Sequence, residues 1–157
     1  MERLSIEQYY LNIAKEVSKR STCVKRQYGA IIVNNDEIIA TGYNGAPRGV
    51  LNCSDIGKCP RISVPHNSGD YSNCAAVHAE QNALLSASRK EIIGGTLYLW
   101  GRENDKDVDD VAPCPVCMKM IINSGITSIV TKNSTIPVAD AIRKYNTQKL
   151  GDLSAEK

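Results

Sequence analysis

Apolar and polar positions follow two different periods along this chain. Near the start, Ile6, Tyr9, Tyr10, Ile13, Ala14 and Val17 recur at three- and four-residue intervals. That spacing predicts an amphipathic helix running to about Ser18, with Ser5 and Gln8 in the positions of a capping box. Residues 28–34 (YGAIIVN) and 37–43 (EIIATGY) are instead β-rich runs flanking Asn34-Asn35-Asp36, which reads as a hairpin. The stretch 44–73 is irregular and rich in Gly, Pro, Asn, Asp and Ser. Loops of that length inside a compact domain are usually functional or unstructured.

A helical pattern returns over 76–90 and ends near the glycines at 94–95. TLYLW at 96–100 predicts a strand, and GRENDKDVDDVA at 101–112 an acidic polar loop. Pro115 suits the first position of a third helix, which should stop at Gly125. ITSIVT at 126–131 predicts the next strand. Pro137 is read as opening a last helix with Val138, Ala141, Ile142 and Tyr145 on one face, and GDLSAEK at 151–157 as a frayed tail. Strands separated by helices call for right-handed crossovers onto a sheet that is parallel in that half. The expectation is an α/β protein: a mixed sheet with helices on both faces, in one domain spanning 1–157. The N-termini of the second and third helices should then emerge beside each other at one edge.

Composition narrows the function classes. The chain has 157 residues, enough for one domain with its own core, and no Phe, so Ile, Val, Leu and Ala must fill the interior. Apolar runs such as Ala30–Val33 and Ile38–Ala40 are far too short to span a bilayer, and MERLSIEQYY carries no apolar signal segment. The expectation is therefore a cytoplasmic protein with no membrane partner. A net charge of +2 is too small to announce nucleic acid by electrostatics alone. Lys15, Lys19, Arg20, Lys25 and Arg26 form one basic cluster, read as a solvated helix end or, more sharply, as a phosphate site. Six cysteines without an export signal read as reduced thiols, some of them metal ligands.

The chemistry concentrates at two predicted helix starts. Cys114 and Cys117 are spaced so that both sulfurs reach one ion, and a helix N-terminus favours the thiolate that binds metal. Neutral His78 completes a Cys2His set with one tetrahedral position open, which belongs to catalytic rather than structural zinc. Zinc lowers the pKa of a bound water to about 7. Residues two apart point to opposite sides in mid-helix, but at the first turn His78 and Glu80 can lean toward one point. Glu80 then becomes the proton carrier. Taken singly, each part has a plainer reading. His78 can be a core histidine and Cys114-Pro115-Val116-Cys117 a thioredoxin-like redox pair. A metalloprotease helix is excluded because Gln81 and Asn82 supply no second histidine.

Jointly, His-Ala-Glu at 78–80 and Pro-Cys-Pro-Val-Cys at 113–117 match H-x-E…P-C-x-x-C, the pattern of zinc nucleobase deaminases. The chain resembles the deoxycytidylate deaminase family from about Ser21 to Val130. Carriers of the resemblance are STC at 21–23, GAIIV at 29–33, TGYNGAPRG at 41–49, NC at 52–53, AVHAEQNAL at 76–84 and PCPVCMKMIINSGI at 113–126. GYNGAP separates this branch from free-cytidine and transfer-RNA deaminases. The resemblance implies a three-layer αβα cytidine-deaminase-like fold with a mixed five-stranded sheet, so one further strand or extended segment should exist beyond those the pattern shows. It also implies hydrolysis of dCMP to dUMP and ammonia. Zinc ligands would be His78, Cys114 and Cys117, with Glu80 as proton shuttle.

For the substrate, the resemblance suggests Asn44 at the sugar or pyrimidine, with Ser21, Arg26 and Arg48 as phosphate candidates. Tyr71 is a stacking candidate or a packed loop tyrosine. Cys23, Cys53, Cys59 and Cys74, with His66 nearby, are read either as a second, structural zinc site or as separate buried thiols. Homo-oligomers, often hexamers, and control by dCTP and dTTP are further implications of the family. Two features depart from it. Ala75 and Ala76 stand where relatives often carry an arginine, and the loop 101–112 is long and holds Glu103, Asp105, Asp107, Asp109 and Asp110. Those charges would oppose a phosphate if they entered the site, or else fold into solvent. The rival readings are a deaminase of another nucleoside, nucleotide or nonstandard base, and a non-catalytic zinc-binding interaction module, against which Glu80 argues.

Overall fold

In the computed structural model, which describes residues 1–155, the elements run α1 (Ile6–Ser18), β1 (Arg26–Asn34), β2 (Glu37–Tyr43), α2 (Cys53–Ile56), α3 (Ala79–Leu85), α4 (Arg89–Ile92), β3 (Thr96–Glu103), β4 (Lys106–Asp107), α5 (Pro115–Ser124), β5 (Ser128–Val130), β6 (Thr135–Pro137) and α6 (Val138–Ala155). The sheet order is β2-β1-β3-β5-β6, with the short β4 paired to β3. Only the β3–β5 pair is parallel, and it is the pair separated by α5. The mixed αβα sandwich implied by the resemblance is present, and its sheet has six strands: five in the main order, including the further β6, and the two-residue β4 beside β3. No helix is long and apolar enough to cross a membrane among the described residues.

Both faces of the central strands are covered, so they carry unbroken apolar runs rather than alternation. On one face Ala30, Ile32, Leu97 and Leu99 pack with Ala79, Ala83, Ile121 and Ile129. On the other, Ile31, Val33, Tyr98 and Trp100 pack with Tyr10, Leu11 and Ala14 of α1. The period of two along β1 and β3 thus assigns successive residues to opposite helical layers. Gly42 sets the spacing on the site side: a Cβ there would lie 2.3 Å from Ala79 O and Ala83 N, so only glycine admits α3 onto β2.

Five sequence expectations need correction. The helix over 76–90 is two helices, because Ser86 caps the end of α3 and Ser88 starts α4 with its own Ser88–Glu91 capping box. Residues 101–112 are not all loop: β3 extends to Glu103 and turns through Asn104-Asp105, both at positive φ, into β4. Of 126–131, only Ser128–Val130 is strand. Pro137 closes the edge strand β6, where a missing N–H costs nothing, and α6 starts one residue later. Residues 151–155 continue α6 rather than fray, since Leu150, Leu153 and Ala155 favour helix enough to carry Gly151; residues 156–157 of the expected tail lie outside the described residues.

Candidate active site and metal centre

His78 is the N-cap of α3, with φ −76° and ψ 157°, so it stands just ahead of the helix rather than on its flank. Its N–H donates to Gln81 Oε1 at 2.8 Å, which fixes the first turn. One residue earlier, Val77 exchanges backbone hydrogen bonds of 2.8 and 3.1 Å with Gly45, tying the GYNGAP segment to this helix tip. Cys114 caps α5 in the same extended geometry, its sulfur accepting the Cys117 N–H at 3.4 Å, and Pro115 follows at the first helical position.

The two caps bring three ligand atoms together. His78 Nδ1 lies 3.5 Å from Cys114 Sγ and 3.3 Å from Cys117 Sγ. Tetrahedral zinc, with bonds of about 2.1 Å to nitrogen and about 2.3 Å to sulfur, needs ligand separations of about 3.5–4 Å, so the donor set fits that ion. Among the described residues, this trio is the one group of three such donors lying within 4.8 Å of one another. As a bare trio the groups share protons. A hydrogen bond from Cys117 holds the Cys114 thiol at about 3, against the opposing effect of burial. Cys117, the donor in that bond and buried, is pushed up. A divalent cation would replace this arrangement by binding both sulfurs as thiolates.

Glu80, at the second helical position, is buried beside the trio, with 5% of its surface exposed. Burial raises its carboxyl to about 7, partly opposed by a backbone hydrogen bond and by His78. It is therefore balanced between acid and base near neutrality.

Asn44 follows β2 directly and is buried. Its Oδ1 accepts from Tyr28 N–H at 2.8 Å and from the Ser21 hydroxyl at 2.6 Å, and its Nδ2 donates to Arg26 O at 2.9 Å. Asn44 and Ser21 are thus brought together, with the backbone of Arg26 and Tyr28. Tyr28 went unnoticed in the sequence, yet it shares the α3-facing register of Ala30 and Ile32 and lies within electrostatic reach of Glu80. The alternation along β1 was the signal for it. The Tyr28 hydroxyl also meets His66 Nε2 at 3.4 Å. Arg48 is exposed. Tyr71 is placed elsewhere, its ring 4.0 Å from the Arg61 guanidinium and its hydroxyl accepting from Asn67 N–H.

Cys23, Cys53, Cys59 and Cys74 are half-buried free thiols, and Cys53 lies close enough to the other three for each to act on it. Burial and those sulfurs push the Cys53 thiol up. The basic cluster of the sequence disperses. Lys15 pairs with Asp107 at 2.9 Å, Lys19 with Glu16 at 2.7 Å, and Arg26 with Asp110 and Glu103 at 3.1 and 3.3 Å. Lys25 donates to the carbonyls of Arg61 and Val64.

Two helix tips over one sheet edge, joined by a donor set that suits zinc with a position to spare, define an αβα metalloprotein with a reaction centre. The family model for the cytidine and deoxycytidylate deaminase zinc-binding region matches residues 4–133, and the chain belongs to that family. It is 42% identical over 137 residues to the deoxycytidylate deaminase of Mycobacterium phage D29, covering 83% of this chain and 96% of that one. To the deoxycytidylate deaminase of Schizosaccharomyces pombe it is 38% identical over 133 residues, or 84% of this chain and 38% of the relative. The chain therefore spans well under half of the yeast protein and nearly all of the phage one. The solved dCMP deaminase of cyanophage S-TIM5, in complex with dCMP and dUMP, superimposes with a TM-score of 0.61 at 31% identity, covering 85% of each chain.

Proposed function

We propose that this chain is a deoxycytidylate deaminase, converting dCMP and water to dUMP and ammonia. The observation that carries the reading is Glu80, a buried carboxyl beside the trio of His78, Cys114 and Cys117 but not part of it. Those three residues would hold zinc, which when bound supplies the Lewis acidity that brings a water's pKa into the neutral range. Glu80 takes a proton from the water that attacks C4 of the pyrimidine. It returns protons to the ring nitrogen and to the amino group, which leaves as ammonia. Replacing Glu80→Gln should lower ammonia release from dCMP by at least about a hundredfold while metal analysis still finds zinc. Turnover that survives this change would reject the assigned shuttle.

Asn44 and Ser21 are the substrate-side wall in this reading, Arg26 the phosphate ligand, and Arg48 and Tyr71 residues of the exposed rim. The bond network of Asn44 and Ser21 supports the first pair, whereas the contact of Tyr71 with Arg61 counts against a place at the base. A substrate without phosphate is the second reading, favoured by one fact: Arg26 already faces two carboxylates. Turnover of dCMP, CMP, deoxycytidine and dCTP, followed by absorbance, separates the two. A second, structural zinc at Cys23, Cys53, Cys59 and Cys74 is part of the proposal, supported by the electrostatic influence of the other three thiols on Cys53; these four do not form a group of three donors within 4.8 Å, so the ion would have to draw them closer. Cytoplasmic location, homo-oligomers such as hexamers, and dCTP or dTTP effectors complete it on resemblance to the family.

A further inference from the structure

Arg26 meets negative charge from two directions. Its Nη1 donates to Asp110 Oδ1 at 3.1 Å and its Nη2 to Asp110 Oδ2 at 3.4 Å, a forked grip on one carboxylate. Glu103 Oε2 lies 3.3 Å from Nε, and Nη1 also donates to the Tyr28 hydroxyl at 3.1 Å. The arginine side chain is 13% exposed and that of Asp110 is 61% exposed. A largely covered cation therefore shows its fork to a carboxylate that stands mostly in water. One tyrosine separates this fork from the buried acid, since Tyr28 lies within electrostatic reach of Glu80. The chain from 110 then leads directly into Cys114 at the helix tip.

A phosphate monoester presents the same pair of oxygens as a carboxylate, with nearly twice the charge. Asp110, mostly solvated, gives up little by turning away, and Glu103 still neutralises part of the arginine. We propose that Asp110 is a specificity-determining residue: its carboxylate fills the Arg26 fork that a substrate's phosphate takes, so that phosphate binds by exchange with it. This rests on reading Arg26 as the phosphate ligand. The exchange lowers the affinity of any anion for the fork by one factor, so Asp110 sets how strongly a phosphorylated ligand is preferred over one without phosphate, and it reconciles an acidic loop at the site edge with a phosphorylated substrate.

Calorimetric binding of dUMP and deoxyuridine to the zinc-loaded protein tests it. For Asp110→Asn the preference for dUMP over deoxyuridine should rise about two- to fivefold, the scale of a partly solvated ion pair. Asp110→Ser should give the same rise, because only the lost charge matters, whereas Arg26→Gln should erase the preference. An unchanged or weaker preference in both Asp110 variants would overturn the exchange while leaving Arg26 as phosphate ligand. A preference untouched by Arg26→Gln would remove the ligand and the exchange together. Because the readout is binding, it decides the role of Asp110 whether or not dCMP is the nucleotide turned over.

Discussion

Two loops border the site, and they are held in opposite ways. In 101–112 every carboxylate has a cation: Glu103 and Asp110 share Arg26, while Asp105 meets Arg102, Asp107 meets Lys15 and Asp109 meets Lys132. Four of these five pairs reach a different element or turn, so the acidic loop is stitched to α1, β1 and the turn after β5. The stretch 44–73 has no ion pair among the described residues. It is held by hydrogen bonds instead: Lys25 donates to the carbonyls of Arg61 and Val64, Ser54 N–H to Thr22 O, and Gly45 pairs with Val77, alongside the Arg61–Tyr71 contact and the short α2. A loop whose charges find partners can borrow order from its surroundings, whereas 44–73 carries Arg48, Asp55, Lys58, Arg61 and Asp70 outside any ion pair among the described residues, and the second zinc proposed at its cysteines would supply a cross-link.

The largest effect that would sharpen this contrast comes from the thiols. Cys53→Ser should reduce zinc from two ions per chain to one and speed proteolytic cleavage within 44–73 by at least about tenfold, leaving 101–112 uncut. Limited proteolysis with mass mapping and metal analysis read both outcomes. A single zinc in the parent protein, or equal cleavage of the two loops, would break the comparison.

The acidic loop also depends on close packing beneath it. A Cβ on Gly101 would lie 2.8 Å from Tyr28 Cε1 and Val111 Cγ2, and 2.9 Å from Val108 Cγ2. Gly101→Val should therefore cost about 1–3 kcal/mol of stability, measured by denaturant unfolding, as an overpacked interior does. A neutral result would mean that Val108 and Val111 can lift away, and that the ion pairs alone hold the loop.

Much of this was legible in the sequence, and the misses have physical causes. Helix tips announce themselves locally: the caps at Cys114 and His78 follow from Pro115 and from His-Ala-Glu, so the meeting of His78, Cys114 and Cys117 was readable. Ser88 and Glu91 also spelled a capping box that marks the break between α3 and α4, hidden by the apolar spacing that continues across it. Asn-Asp occurs twice at tight turns, at 35–36 and 104–105, with positive φ in all four residues. The first was recognised because β-rich runs flank it, and the second was missed because charged residues do. Partners were the least legible. Lys15 and Asp107 are separated by 92 positions and Arg26 and Asp110 by 84, so no local pattern could pair them. That is why the basic cluster read as a solvated helix end or a phosphate site.

The finest test of the stitched loop contrasts two of its carboxylates. Burial would raise the Asp107 carboxyl, but hydrogen bonds from Lys15 and from Trp100 Nε1, the latter at 2.9 Å, outweigh it and hold it below the usual carboxylate range. A group depressed in this way stabilises the fold above its ordinary pKa of about 4, and that contribution disappears as pH falls through the lower folded value. Trp100 is the only tryptophan, so its fluorescence should shift as Asp107 protonates, in a transition below about pH 4. Asp107→Asn should abolish that transition and cost about 1 kcal/mol near neutral pH. Asp105, whose side chain is 96% exposed against Arg102, is the counterpart: Asp105→Asn, which suits the positive φ of that turn, should leave both the melting temperature and the acid transition where they are. If the two substitutions behaved alike, the loop would be held by its total charge rather than by particular partners, and the difference from 44–73 would be one of degree.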